Sequence, residues 1–177
     1  NQHNIDTNMT HTITIFKNIK DTDAPFYREV DFVIDRIRNG KSKELVKKIR
    51  KQKNKEERNQ LKRDLPSICF SGTFSKRADS SILEHSGLIC LDFDGYKKQT
   101  DMLLDKEKMM KDKYTFSVFI SPSGNGLKLL VRIPNDADNH SKYFTSLEKY
   151  HDSEYFDTTS KNISRVCYES YDPLIYY

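Results

Sequence analysis

No apolar stretch in this sequence approaches the roughly 18 to 20 residues that a transmembrane helix needs, so nothing in it reads as a helical membrane span. The polar opening, Asn1 to Thr10, lacks the form of a secretory signal. Cysteine is scarce. Cys69, Cys90 and Cys167 are odd in number, far apart, and each set in a short apolar run. With no CxxC pair and no Cys/His cluster of ligand spacing, they read as reduced core residues, and a structural zinc site is not expected. Internal repeats, low-complexity tracts and obvious linkers are also missing. The 177 residues therefore read as one compact unit able to bury a core, expected in the cytoplasm.

Charge is plentiful, at 32% of residues, and its distribution matters more than the chain's net +4. Between Lys41 and Arg63 stand 11 Lys/Arg against 3 Asp/Glu, a net of +8, so the remainder carries −4. A basic arm is joined to a mildly acidic body. Such a run is either a solvated helical face or a phosphate-backbone contact, for which Lys47, Lys48, Arg50 and Lys51 are the candidates.

Thr12 to Phe16 alternates polar and apolar residues as a half-buried strand does. Val30, Val33, Ile34 and Ile37 recur at helical spacing and stop at Asn39-Gly40, which predicts a helix from about Phe26 to Arg38. Ser42 stands as the N-cap of a second helix carrying Leu45, Val46 and Ile49, and Lys55 to Arg63 forms a third that ends before Pro66. From Pro66 the texture changes to short apolar runs: Ser67 to Phe70, Gly87 to Phe93, Phe116 to Ile120, Leu127 to Ile133 and Ser164 to Tyr168. Helices fit between them near Thr100 to Asp112 and His140 to Tyr150. Only a short Gly-bearing turn joins the third and fourth runs, so the fold class is α+β with a mostly antiparallel sheet. The expected division is an N-terminal strand with basic helices over 12–65 and the sheet over 66–177.

Three constellations carry chemistry. In Ser86 to Gly95 a buried strand delivers Asp92 and Asp94 at i, i+2, which puts both carboxylates on one face, roughly 7 Å apart along the strand. Such a pair suits Mg²⁺ or Mn²⁺, and a two-metal centre stabilises the attacking and leaving oxygens of phosphoryl transfer. A strand end entering an Asp-Gly turn explains it equally well. Next, Ser121-Pro122-Ser123-Gly124-Asn125-Gly126-Leu127-Lys128 lets backbone amides approach a polyphosphate while Lys128 adds a fixed charge; the alternative is an ordinary Asn-Gly hairpin. It is not a Walker loop, since GxxxxGK[ST] is absent. Last, Asp157 offers a third carboxylate and Arg165 a partner for a γ-phosphate, though a turn Asp and a strand-edge Arg are the plainer readings.

In this order the constellations resemble the archaeo-eukaryotic primase superfamily, and more closely the VirE-like N-terminal primase-polymerase domains of bacterial mobile elements and phages. The residues that carry the likeness are Leu65 to Phe74, the Asp92/Asp94 strand, Ser121 to Lys128, Ser164-Arg165 and Ser170-Tyr171-Asp172-Pro173. The resemblance implies an RRM-like catalytic sheet flanked by helices, two-metal catalysis with Mg²⁺ or Mn²⁺, and primer synthesis or copying on a DNA template from NTPs or dNTPs. It implies Asp92, Asp94 and Asp157 as catalytic metal ligands, and Ser121, Ser123, Gly124, Gly126, Lys128 and Arg165 at the nucleotide. Many superfamily members carry His where Lys128 stands. Members commonly precede a helicase, so a piece of a longer replication protein with a helicase domain or partner is expected, in a bacterial cell or a phage-infected one.

Two other classes compete. Leu91 to Gly95 also matches the DxDG nucleophile strand of haloacid-dehalogenase-type phosphatases, but some 90 residues precede Asp92 and no adjacent acidic pair follows it. A DNA-binding or regulatory module that keeps the fold without turnover accounts for the basic arm as well as an enzyme does.

Overall fold

The computed structural model describes residues 10–177. Strand β1 (Thr12–Phe16) pairs with β2 (Phe26–Glu29), which leads into helix α1 (Val30–Asn39). The basic arm follows as α2 (Lys43–Lys51) and α3 (Lys55–Lys62). Then come β3 (Ser67–Cys69), the hairpin β4 (Gly72–Phe74) and β5 (Ile82–His85), β6 (Leu88–Phe93), α4 (Gln99–Lys111), β7 (Thr115–Ile120), β8 (Leu127–Arg132), α5 (His140–His151) and β9 (Cys167–Tyr168). Every strand pairing among the described residues is antiparallel, so the class is α+β as expected. Among the described residues no helix is long and apolar enough to cross a membrane.

Two sheets organise the chain: β2-β1-β3-β9 and β6-β8-β7. The first sets β2-β1 from 12–65 beside β3-β9 from 66–177. The second is the middle layer, and its alternation shows why. Ile89, Leu91 and Phe93 of β6, with Leu127, Leu129 and Val131 of β8, turn to one side and pack on Met102 and Met109 of α4 and Phe144 of α5. Leu88 and Leu130 turn to the other side, against Val33, Ile34 and Ile37 of α1 and Ile13, Ile15 and Ile68 of the first sheet. Asp92 and Lys128 share this second face by register and lie directly opposite one another.

Three expectations need correction, and one element went unforeseen. The first helix begins at Val30, because Phe26 to Glu29 fill the free edge of β1, where aromatic residues suit an extended backbone. Ser42 stands at the N-cap of α2 but caps nothing; its Oγ donates to Glu169 Oε1 at 2.6 Å. The last strand shrinks to Cys167–Tyr168, since Asp79 takes the Ser164 amide (3.0 Å) and draws that residue out of the ladder. The β4–β5 hairpin was not foreseen, and Gly72 makes it possible: a Cβ there would collide with the Glu84 carbonyl. Cys69, Cys90 and Cys167 are free thiols, with Cys69 and Cys167 buried.

The segment after β9 straps the parts together. Glu169, fully buried, accepts from Arg36 Nε (2.8 Å) and Nη2 (3.0 Å) and from Ser42, tying α1 and the start of α2 to the first sheet. Asp172 Oδ2 accepts from Lys106 Nζ (3.0 Å) and the Ile120 amide (2.9 Å), while Ser170 Oγ donates to Ile120 O (2.6 Å). Both carboxylates are paired and fully hydrogen-bonded, which is what makes a buried charge tolerable.

Candidate active site

The end of β6, helix α3, the β7–β8 turn and Arg165 come together at one opening. The result is a groove of about 530 Å³ lined by Lys55, Arg58, Asn59 and Lys62 from α3, Asp92 and Asp94 from β6 and its end, Ser123, Asn125 and Lys128 from the β7–β8 turn and β8, and Arg165. That volume lies within the usual range of small-molecule sites.

Both carboxylates face this groove, as period-2 geometry requires. Asp92, 6% exposed, accepts from Lys128 Nζ on Oδ1 (2.9 Å) and from Ser160 Oγ on Oδ2 (3.2 Å). Burial works to lower the Lys128 pKa, but contact with Asp92 outweighs it and raises the ammonium above an ordinary lysine. Asp94 is more open. Desolvation pushes its carboxyl above the usual range; Lys128 opposes this, and the neighbouring charges of Asp92 and Asp157 add to it. Carboxylates that repel one another in a half-dry groove are relieved by a cation.

The β7–β8 turn is braced from behind. Ser121 N donates to Gly126 O (2.9 Å) and Gly124 N to Ser121 O (3.0 Å), closing the hairpin. Arg50 Nη2 donates to Ser121 O (3.0 Å) and Tyr171 O (2.9 Å), and Gln99 Nε2 to Gly124 O (2.9 Å). Gly126 has no room for a side chain: a Cβ would lie 2.8 Å from both Asp94 Oδ1 and Phe93 O. The buried Ser121 Oγ lies 3.2 Å from the same point and has no hydrogen-bond partner among the described residues. The Ser123 and Asn125 amides likewise donate to nothing among the described residues, leaving them free for an anion.

Asp157 sits beside the pair without joining it. Its amide donates to Asp92 O (2.8 Å), and Phe156 bridges Phe93, so residues 155–157 run along the outer edge of β6. One carboxylate oxygen caps Thr159 (2.9 Å to its amide) and the other accepts from Ser160 (3.0 Å). Burial raises this pKa, but those hydrogen bonds and Arg165, 3.9 Å away, outweigh it and hold the carboxyl below the usual range. Among the described residues no three His, Cys, Asp or Glu side chains gather closely enough to hold an ion. Asp92 and Asp94 are the two carboxylates that line the groove together, and Mg²⁺ is commonly held by one or two carboxylates, with substrate phosphates and water completing its shell.

The structure thus gathers Asp92, Asp94, Ser123, Lys128 and Arg165 at one groove, with Ser121, Gly124 and Gly126 shaping its turn. Lys47, Lys48 and Lys51 of α2 are exposed and line none of it. Arg50, exposed like them, packs over Gly124 and donates to the turn. Sequence reasoning missed Ser160, which joins Asp92 to Asp157, and the α3 row Lys55, Arg58, Asn59 and Lys62, whose i, i+3, i+4, i+7 spacing was legible but whose facing was not.

These features define an α+β domain with a carboxylate pair at the floor of a cationic groove. The chain belongs to the family described as BT4734-like, N-terminal domain, whose model matches residues 60–177. Among solved structures it is similar to the AEP domain of the primase-polymerase of cyanophage S-2L, with 16% identity and a TM-score of 0.45 over 91% of this chain and 72% of that one. No curated protein matches it.

Proposed function

We propose that this domain is a DNA-directed nucleotidyltransferase, a primase-polymerase core that adds nucleotides from NTP or dNTP to a primer or an initiating nucleotide on a DNA template. The observation that carries the reading is the meeting, in one groove, of two same-face carboxylates with five cations: Lys55, Arg58, Lys62, Lys128 and Arg165. Phosphoryl transfer needs a metal grip next to a polyphosphate cradle, and few other chemistries need both. The ordered motifs that resemble the archaeo-eukaryotic primase superfamily and its VirE-like members support the same reading.

Mg²⁺ or Mn²⁺ held by Asp92 and Asp94 would supply Lewis-acid stabilisation of the attacking and leaving oxygens. The chain's own residues do the rest. Lys128, held at the floor by Asp92, presents positive charge to the phosphates; the free amides of Ser123 and Asn125 and the unpartnered Ser121 hydroxyl offer donors beside it. Arg165 lines the same groove. Asp157, through Ser160, orients Asp92 and serves as a positioning residue. The exposed lysines of α2 are available to the DNA backbone outside the groove, and a helicase domain or partner would supply unwound template.

The test is incorporation of labelled nucleotide on single-stranded DNA, with and without a primer, comparing NTPs with dNTPs in Mg²⁺ and Mn²⁺. Metal-dependent, template-directed product is expected, and none from Asp92→Asn. One observation favours a second reading, a DNA-binding module without turnover: the Lys128–Asp92 ion pair at 2.9 Å already neutralises the buried carboxylate. DNA binding with no incorporation in either metal would select that reading.

A further inference from the structure

We infer that one face of α3, formed by Lys55, Arg58, Asn59 and Lys62, is the subsite for the β- and γ-phosphates of the bound nucleoside triphosphate. The inference rests on the nucleotidyl-transfer reading above and adds the path of the polyphosphate across the groove.

The four residues recur at i, i+3, i+4 and i+7, which is one face of a helix, and all four line the groove. Packing does not explain the row. α3 has no buried residue, and only Leu61 leans on the small apolar cluster of Val46, Ile49 and Leu65. The helix instead sorts its charges: Glu57, with Gln60 and Arg63, lines a separate cleft on the far side. Neither Lys55, Arg58 nor Lys62 forms an ion pair among the described residues. Lys128 and Arg165 already face Asp92 and Asp157, so the α3 cations are the groove's surplus positive charge.

Two atoms mark where a ligand belongs. Arg58 Nε is sealed from water yet has no acceptor among the described residues. That is a donor waiting for an anion, since a buried guanidinium N–H is rarely left unmatched. Lys62 lies among like charges: burial lowers its pKa, and Arg58, Lys128 and Lys55 add to that, against the pull of Asp94. Cations crowded in a partly dry groove destabilise the empty fold, and phosphate oxygens relieve each of them. The row ends at Lys62, beside Asp94 and Lys128, so a polyphosphate lying along it brings its α-phosphate to the carboxylate pair. A DNA backbone in the same place would set phosphates against two carboxylates without the divalent ion that a triphosphate carries.

Calorimetric titration of the full chain with dATP, dADP and dAMP in Mg²⁺ tests this, alongside anisotropy with labelled single-stranded DNA. The variants are Lys55→Gln, Arg58→Gln and Lys62→Gln, singly and combined, with Lys47→Gln/Lys48→Gln/Lys51→Gln as the α2 control. Circular dichroism checks that each variant is folded; the single changes serve where the triple does not fold. The triple α3 variant should lose about thirty-fold in dATP affinity and about three-fold or less in dAMP affinity, because charge-assisted bonds to the outer phosphates are what it removes. Its DNA affinity should fall no further than the α2 control's. Three results overturn the inference: dATP affinity within about two-fold of wild type, equal losses for dATP and dAMP, or a DNA loss exceeding the dATP loss, which would assign the row to a strand backbone. If the wild-type chain itself binds no dATP, the function proposed above falls and takes this subsite with it.

Discussion

Two clefts of similar size open on the two faces of β6. The groove on the Asp92 side measures about 530 Å³, and the cleft behind it, under Phe93, about 560 Å³. One residue of strand separates them, because successive side chains point to opposite faces. Their chemistry is opposite. The groove sets five cations against two carboxylates, whereas the rear cleft sets Asp105, Asp112, Asp152 and Glu154 against Lys108 and a histidine, His151, whose pKa burial lowers. Size does not distinguish the two clefts; the sign of the lining charge does.

That contrast is breakable. The largest effect expected is on incorporation: Asp92→Asn or Asp94→Asn should lower it by about three orders of magnitude, whereas Asp112→Asn and Glu154→Gln should leave it within about two-fold. Primer-extension rates decide, and equal losses from the two faces would erase the distinction. Next is stability. Asp172→Ala strands the buried Lys106 ammonium on α4, which forms part of the rear wall, and should cost about 3 kcal/mol in urea unfolding. A cost below about 1 kcal/mol would mean the strap is not what holds α4 to β7.

A smaller change should come from Gly126→Ala. The added methyl meets Asp94 Oδ1 and Phe93 O, so the turn must shift, with nucleotide affinity falling about ten-fold while the fold is retained. Unchanged affinity would release the turn from the site.

The smallest effect is a pH dependence. Asp94 is held above the ordinary carboxylate range in the folded chain, so the native state keeps a proton that the unfolded state has released. Stability therefore falls as pH rises from the ordinary carboxylate value through the raised one. Asp94→Asn should remove that slope and make the apo domain slightly more stable at neutral pH, while abolishing activity. A destabilised Asp94→Asn would show that the carboxylate supports the fold.

Much of the fold was legible because it is local. Alternation in Thr12 to Phe16, the short apolar run Leu88 to Phe93, and helical recurrence from Val30 to Ile37 are local patterns that need no distant partner to be read. Phe26 to Glu29 misled because an edge strand is chosen by its neighbour's unpaired backbone, not by its own pattern. The motif residues Ser170 and Asp172 were visible as a signature, yet their work is to pin Ile120 and Lys106 from 50 and 66 residues away, which no spacing announces.

The same division holds at the site. By itself the sequence determined that Asp92 and Asp94 share a face and that a Ser/Gly turn precedes Lys128, since two-residue periodicity and glycine's freedom need no partner. Only the tertiary structure decided which basic helix faces the groove. α2 carries the more basic sequence of the two, but it spends Arg50 on the carbonyls of Ser121 and Tyr171, while α3 turns Lys55, Arg58 and Lys62 toward the carboxylates. Charge acts through space at a few ångströms, and which charges come that close is settled by how the layers pack.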